Sequence, residues 1–347
     1  MINNLSITNY KSITKLDIDT KRVNVFIGED NSGKSNILEA LSWFSVNALD
    51  KKTFPEMFRF KNATDFFYDF DTTTPIKIKT DDLNLLIQYS KSASGSIHNE
   101  LEGVIYPSNS EFNPLTEFNP FNLRNQFPGL NYCSFTLQFD GQIRITDGSL
   151  ESSFRTYIYK HLKSFHSSFS PFLAPPFGEN IPSLIVSNKE LKELISSLFR
   201  EKGFRLMIKP SENDINMAKD VNDELYSYPY TSISETIQRI AFYLLAIESN
   251  KNSVLILDEP ESNTFPMYTK QLAELIALDN SNQYFLATHD PYILNSLLSK
   301  TPSDDLAVFI TKMEEYKTIV SRVDKEDLST LLDEGIDVYF NLNKFIS

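Results

Sequence analysis

Val23-Asn24-Val25-Phe26-Ile27-Gly28-Glu29-Asp30-Asn31-Ser32-Gly33-Lys34-Ser35 is the stretch on which the fold of this chain turns. Its first five residues read as a short apolar strand. Gly28 to Ser35 then fit G-x-x-x-x-G-K-[ST], the pattern of a phosphate-binding loop. Beyond it, Ile37, Leu38, Leu41 and Phe44 recur at helical spacing, which predicts a helix from Asn36 to about Leu49. Glycine at Gly28 and Gly33 permits positive φ, so successive N–H groups and the helix N-terminus can converge on phosphate oxygens. In this arrangement Lys34 reaches the β- and γ-phosphates and the Ser35 hydroxyl holds Mg²⁺. Gly28, Asn31, Ser32, Gly33, Lys34, Ser35 and Asn36 are therefore the expected nucleotide-binding set, with ATP and Mg²⁺ as cofactors.

Working outward, Val254-Leu255-Ile256-Leu257 is a second short apolar run, closed by Asp258-Glu259-Pro260. A buried parallel strand delivering acids at its C-terminal edge reads this way, and that edge is where a triphosphate binds. Asp258 is the expected metal residue, and Glu259 the group that polarises the attacking water. Gln283 to Thr288 reads as the next strand. His289 stands at its end and is expected to order water or bond the γ-phosphate as a catalytic residue. Thr231-Ser232-Ile233-Ser234-Glu235-Thr236 opens a further helix, whose hydroxyl-bearing N-terminus is a potential anion site.

The chain has 347 residues, 41% of them hydrophobic and 13% aromatic, enough for a substantial core with two domains or one domain carrying an insertion. Its net charge of −13 excludes a global pull towards nucleic acid or anionic lipid, so DNA contact is possible only through a local patch. The single cysteine, Cys133, is expected to be a buried apolar side chain in a reducing compartment. The N-terminus alternates polar and apolar residues, unlike a signal peptide, and no apolar run approaches the roughly 20 residues of a membrane span. A cytoplasmic protein without a membrane partner is expected.

Leu5, Ile7, Leu16 and Ile18 alternate around Asn9-Tyr10-Lys11-Ser12 as a two-stranded antiparallel lead-in. Residues 50–216 change character. Strands at Ile76 to Lys79, Asn84 to Tyr89 and Ser134 to Phe139 precede a helix over Leu184 to Arg200 and a strand at Phe204 to Ile208. The reading is an ATPase core of residues 1–49 and 217–347, interrupted by a sheet-rich, then helical insertion without a long coiled coil. Phe112-Asn113-Pro114 and Phe118-Asn119-Pro120 repeat within a proline-bearing segment expected to be a surface loop. Leu306 to Thr311 and Thr318 to Val323 read as closing strands before a terminal helix.

In order and content these motifs resemble the ABC-type ATPase heads of the RecF, SMC and OLD groups. Glu259-Pro260-Glu261, Thr288-His289-Asp290-Pro291 and Asp333-Glu334-Gly335-Ile336-Asp337 look closest to the compact OLD-like ATPases of bacterial anti-phage systems, such as the PARIS type. The resemblance implies an α/β P-loop NTPase of the ABC/SMC-head type with a mixed central sheet. It also implies a homodimer, or a higher assembly, that sandwiches two ATP molecules. In that arrangement Lys11 of the lead-in approaches the nucleotide and Ser234 contacts the γ-phosphate in trans. Thr236 stands about where the family's signature carries a glycine, which implies looser closure or slower turnover.

The leading expectation is an ATP-hydrolysing switch or scaffold in anti-phage defence. Only 347 − 290 = 57 residues follow Asp290, too few for an appended nuclease domain, so a separately encoded effector is expected. The alternative is a RecF/SMC-like repair ATPase that clamps DNA, against which stand the charge and the missing arms. A small-molecule kinase is a third class; the acid pair and His289 favour water as the nucleophile.

Overall fold

The computed structural model describes residues 1–48, 53–90, 100–117, 123–138, 141–148, 150–166, 169–324 and 339. It opens with the expected antiparallel pair, β1 (Asn4–Tyr10) and β2 (Ile13–Asp19), whose alternation buries Leu5, Ile7 and Leu16. β3 (Val23–Gly28) follows and is buried along its whole length, as a strand covered on both faces must be. Its alternate side chains serve two layers. Phe26 faces a core shared with the lead-in sheet, while Val23, Val25 and Ile27 face a second core on the opposite side.

β4 (Ile76–Thr80), β5 (Leu83–Ser90), β6 (Glu100–Pro107), β7 (Cys133–Gln138) and β8 (Ile143–Gly148) do not stand apart from the lead-in. β4 pairs antiparallel with β1, making one seven-stranded sheet in the order β2-β1-β4-β5-β6-β7-β8. β9 (Phe154–Tyr157), also within 50–216, pairs parallel with β13 (Val254–Asp258) at the edge of the other sheet. The boundary drawn at residue 50 thus runs through shared sheets. These pairings join residues about 70 and 100 positions apart, which no local pattern encodes.

Between those strands lie β10 (Arg205–Lys209), β11 (Asp214–Val221) and β12 (Glu224–Pro229), a three-stranded antiparallel sheet of which only the first strand is legible in the sequence. The six-stranded sheet is completed by β14 (Gln283–Ala287), β15 (Leu306–Glu314) and β16 (Lys317–Val323). Its order is β16-β15-β3-β14-β13-β9, all parallel except β16.

The principal helices are α1 (Lys34–Ser42), α2 (Ile181–Ser187), α3 (Lys189–Arg200), α4 (Glu235–Glu248), α5 (Pro266–Leu278) and α6 (Pro291–Lys300). α1 lies between the two large sheets, with Ile37, Leu38, Leu41 and Phe44 in their shared core. It is shorter than its periodicity predicts: at Trp43 it tightens into a 3₁₀ turn reaching Ala48, and Leu49 lies outside the described residues. Trp43 is fully buried among Phe54, Phe58, Phe66 and Phe135, at ring distances of 4.6–5.4 Å. The helix expected over 184–200 breaks at Asn188, which is extended and caps α3 by accepting from the N–H groups of Glu190 and Leu191.

α4, α5 and α6 cover the other face of the parallel sheet through Phe242, Leu245, Ile276, Ile293, Leu294 and Leu297. Cys133 is buried, as expected. Phe112 lies in a stretch without helix or strand and is held in place by its ring. It packs edge-on against Tyr106 and Phe127, at 5.2 and 5.1 Å. The second Phe-Asn-Pro, the terminal helix and Asp333 to Asp337 lie outside the described residues. No helix among the described residues is long and apolar enough to cross a membrane.

Candidate functional site

Because β3, β14 and β13 are parallel neighbours, their C-terminal ends emerge side by side. Two steps of about 4.8 Å separate the phosphate loop after β3 from the acids after β13, with His289 rising between them from the end of β14. The expected meeting of loop and acids, more than two hundred residues apart in sequence, follows from this strand order. A cavity of about 400 Å³ lies here, lined by Asp30 to Asn36, Arg59, Glu259 and His289.

The loop is held by the hairpin of β15 and β16. Gly28, at φ +155°, passes so close to β15 that a Cβ would lie 2.2 Å from the Thr311 carbonyl oxygen; Gly33, at φ +98°, lies over Thr318. Ser32 and Thr311 share a 2.6 Å hydroxyl contact, and Thr311 Oγ1 donates to the Ile27 carbonyl. Ser12 joins Thr318 at 2.6 Å and accepts from Asn36 Nδ2 at 2.8 Å, tying the start of α1 to the lead-in turn.

Lys34 folds back over the loop. Its ammonium donates to the carbonyls of Gly28 and Glu29 at 3.0 and 2.8 Å. Burial lowers its pKa, opposed by the charges of Asp30, Glu259 and Asp258. Asp258 is the solvent-facing end of an otherwise buried strand, and partial desolvation raises its pKa, opposed by the neighbouring Ser35 hydroxyl and the positive charge of Arg59. Glu259, at φ +44°, donates its N–H to the Ala287 carbonyl, which turns its side chain towards His289. His289 Nε2 lies 3.4 Å from Glu259 Oε1 and 3.5 Å from Asp30 Oδ1.

These residues suit a magnesium nucleotide. The neighbouring hydroxyl of Ser35 and carboxylate of Asp258 are hard oxygen donors of the kind Mg²⁺ takes. No group of three or more His, Cys, Asp or Glu side chains able to hold a metal by themselves occurs among the described residues, so phosphate and water must supply the remaining positions. Residues Asp30 to Asn36 line the cavity at the N-terminus of α1, where an anion is favoured.

Lys11 departs from expectation. It does not line the cavity: its ammonium pairs with Glu39, donates to the Arg59 carbonyl at 2.7 Å and lies over the Phe66 ring. Tyr10 also donates to Glu39, at 2.7 Å. A buried carboxylate on α1 needs a cation, and Lys11 is the residue the lead-in turn supplies. The cation in the cavity wall is instead Arg59, largely exposed and 3.5 Å from Glu39. No motif marks Arg59 in the sequence.

Ser234 stands at the N-cap position of α4 without a side-chain hydrogen bond to the helix; it is exposed and does not line the cavity. Thr236 Oγ1 donates to the Asn263 carbonyl at 3.3 Å. Glu261 is a second residue whose place the sequence does not reveal. It is buried under His289, and burial pushes its carboxyl up to about 7, against hydrogen bonds from Thr288 and the His289 N–H.

Residues 23–295 match the protein family described as AAA domain, putative AbiEii toxin, Type IV TA system. The chain belongs to that family. No curated protein sequence matches it. Among solved structures it is similar to an Smc head bound to the C-winged helix domain of ScpA, at 15% identity and a TM-score of 0.50, covering 94% of this chain and 99% of that one. An Smc head with an extended coiled coil, bound to the C-terminal domain of ScpA derived from Pyrococcus furiosus, matches at 14% identity and TM-score 0.45, covering 96% and 98%. The Smc head from Thermotoga maritima matches at 15% and 0.38, covering 93% and 98%. Family and fold together make this an AAA-domain protein with the fold of an SMC head.

Proposed function

We propose that the chain is an ATP-hydrolysing, nucleotide-dependent switch that closes on a second copy of itself and holds or releases a separately encoded effector in anti-phage defence. One observation carries the catalytic part: Lys34 and Ser35 of the loop line one cavity with Glu259 and His289, the last two 3.4 Å apart, and the Ser35 hydroxyl neighbours Asp258. Bound Mg²⁺ would supply Lewis-acid charge at the phosphates. Ser35 and Asp258 would hold it, and Lys34, freed from its own loop carbonyls, would bond the β- and γ-phosphate oxygens. Glu259 would take a proton from water, with His289 fixing the carboxylate's direction. Arg59 adds positive charge on the open side of the cavity. The exposed N-terminus of α4 supports the dimer reading, since the Ser234 side chain makes no cap bond to its own helix and can meet the phosphates of a partner.

The defence reading rests on the OLD-like motifs and on the toxin–antitoxin description of the family. Phosphate release from ATP with Mg²⁺, measured with and without DNA over a salt series, tests the proposal. Hydrolysis indifferent to DNA supports the switch. Stimulation by DNA that falls steeply with salt would favour the DNA-clamping alternative, and transfer of the labelled phosphoryl group to an acceptor other than water would overturn hydrolysis.

A further inference from the structure

Glu261 is a buried carboxylate that the chemistry above does not use. After Glu259 the chain turns back, with the Ser262 N–H donating to the Glu259 carbonyl at 3.1 Å, and this return carries Glu261 beneath the end of β14. One oxygen, Oε1, accepts from the Thr288 hydroxyl and from the His289 N–H at 3.2 Å. The direction of the first bond is fixed by its neighbour. The Asp290 N–H donates to Thr288 Oγ1 at 2.9 Å, which leaves the Thr288 proton free for Glu261. Thr288 is in turn anchored by its own N–H to the Phe26 carbonyl of β3, at 3.1 Å. The other oxygen, Oε2, is buried without a hydrogen-bond partner among the described residues. A carboxyl left half satisfied in the interior is costly, and a purely structural role is met more cheaply by a neutral side chain.

We propose that Glu261 is the positioning residue of the site: by holding Thr288 and the His289 backbone with one oxygen, it sets the imidazole between Asp30 and Glu259. The inference rests on the hydrolytic reading of His289. Among the described residues, the only cavity-lining residue to which the Glu261 carboxylate is hydrogen-bonded is His289, so its influence on turnover passes through that residue. The same segment reaches α4, because the Asn263 carbonyl accepts from Thr236; the loop that orients His289 is thus physically joined to the helix that begins at Ser234.

The test combines kinetics with a spectroscopic readout. Glu261→Ala should lower kcat by about tenfold or more, the order of loss that a misplaced catalytic group brings, while ATP affinity stays within about twofold. Glu261→Gln keeps an accepting oxygen and should retain most of kcat. On a His289→Ala background, Glu261→Ala should cost almost nothing further; an equal loss on both backgrounds, or Gln as damaging as Ala, overturns the proposal. Independently of turnover, the imidazole NMR signals of His289, assigned with His289→Ala, should shift in folded Glu261→Ala while those of His161 and His166 stay fixed. An unmoved His289 overturns the positioning role even if the chain hydrolyses nothing. Absent hydrolysis with a shifted His289 contradicts only the reaction.

Discussion

Gly33→Ala is a sharp test of how the phosphate loop is held. Gly33 has φ +98° and ψ +7°, a left-handed backbone that costs a residue with a Cβ about 1–2 kcal/mol. The added carbon would lie 1.9 Å from Thr318 Oγ1, 2.8 Å from its Cγ2 and 2.9 Å from its Cβ. Thr318 has little room to yield, being buried and hydrogen-bonded to Ser12. Displacing it sacrifices that bond, worth about 1 kcal/mol, and overpacks the hairpin by another ~1–3 kcal/mol. The total is roughly 4 kcal/mol, divided between the stability of the fold and the affinity of the loop for nucleotide. Urea unfolding and titration with a fluorescent ATP analogue read the two parts, each 1.4 kcal/mol being tenfold in affinity. Thr318→Ala removes the two atoms beyond Cβ and should recover about half of the loss in the double variant, a coupling of roughly 2 kcal/mol. Gly33→Ala within about 1 kcal/mol of wild type in both readouts, or no coupling to Thr318, would show that the hairpin does not shape the loop.

Lys34→Ala should abolish measurable ATP binding by calorimetry; unchanged affinity would contradict its phosphate contact. Glu259→Gln should bind ATP normally and slow phosphate release by about a hundredfold or more, and turnover that survives would assign the proton transfer elsewhere. Arg22→Ala should destabilise the fold by about 3 kcal/mol in urea. The buried Arg22 guanidinium caps the end of α5 at the carbonyls of Ile276, Ala277 and Asp279 while paired with Asp305. Finally, Glu261 retains its proton in the fold up to about pH 7 but loses it near 4.5 when unfolded, so the native state holds the extra proton between those limits. Its contribution to stability is therefore present below pH 4.5 and lost as pH rises through 7, by roughly 3 kcal/mol. Urea midpoints of Glu261→Gln relative to wild type should rise from pH 5 to pH 8; a constant difference would place the Glu261 carboxyl in the ordinary range.

The site was largely readable because its parts are short, local patterns: a glycine turn between strand and helix, an apolar run ending in acids, and a histidine closing the next run. Parallel strands buried on both faces announce themselves as continuous apolar runs, which is why β3, β13 and β14 stood out. What stayed hidden was long-range. Nothing near Ile76 says that β4 will extend the lead-in sheet, nor near Phe154 that β9 will flank β13. β12, exposed along its length, carries no alternation to find. The break at Asn188 was masked by apolar residues that keep helical spacing on both sides of it. Lys11 is misplaced by the sequence for a similar reason: which cation lines the cavity and which pairs with the buried Glu39 depends on where α1 lies between two sheets.

The decisive measurement is a crystal structure with Mn²⁺ in place of Mg²⁺ and a non-hydrolysable ATP analogue, the metal located by its anomalous signal. The metal should sit between the Ser35 hydroxyl and Asp258, with Lys34 moved from the Gly28 and Glu29 carbonyls onto the phosphates and Glu259 facing the terminal phosphorus. Metal or triphosphate bound away from Ser35 and Asp258, or Lys34 left on its own loop with nucleotide present, would contradict the ATPase site described for this chain.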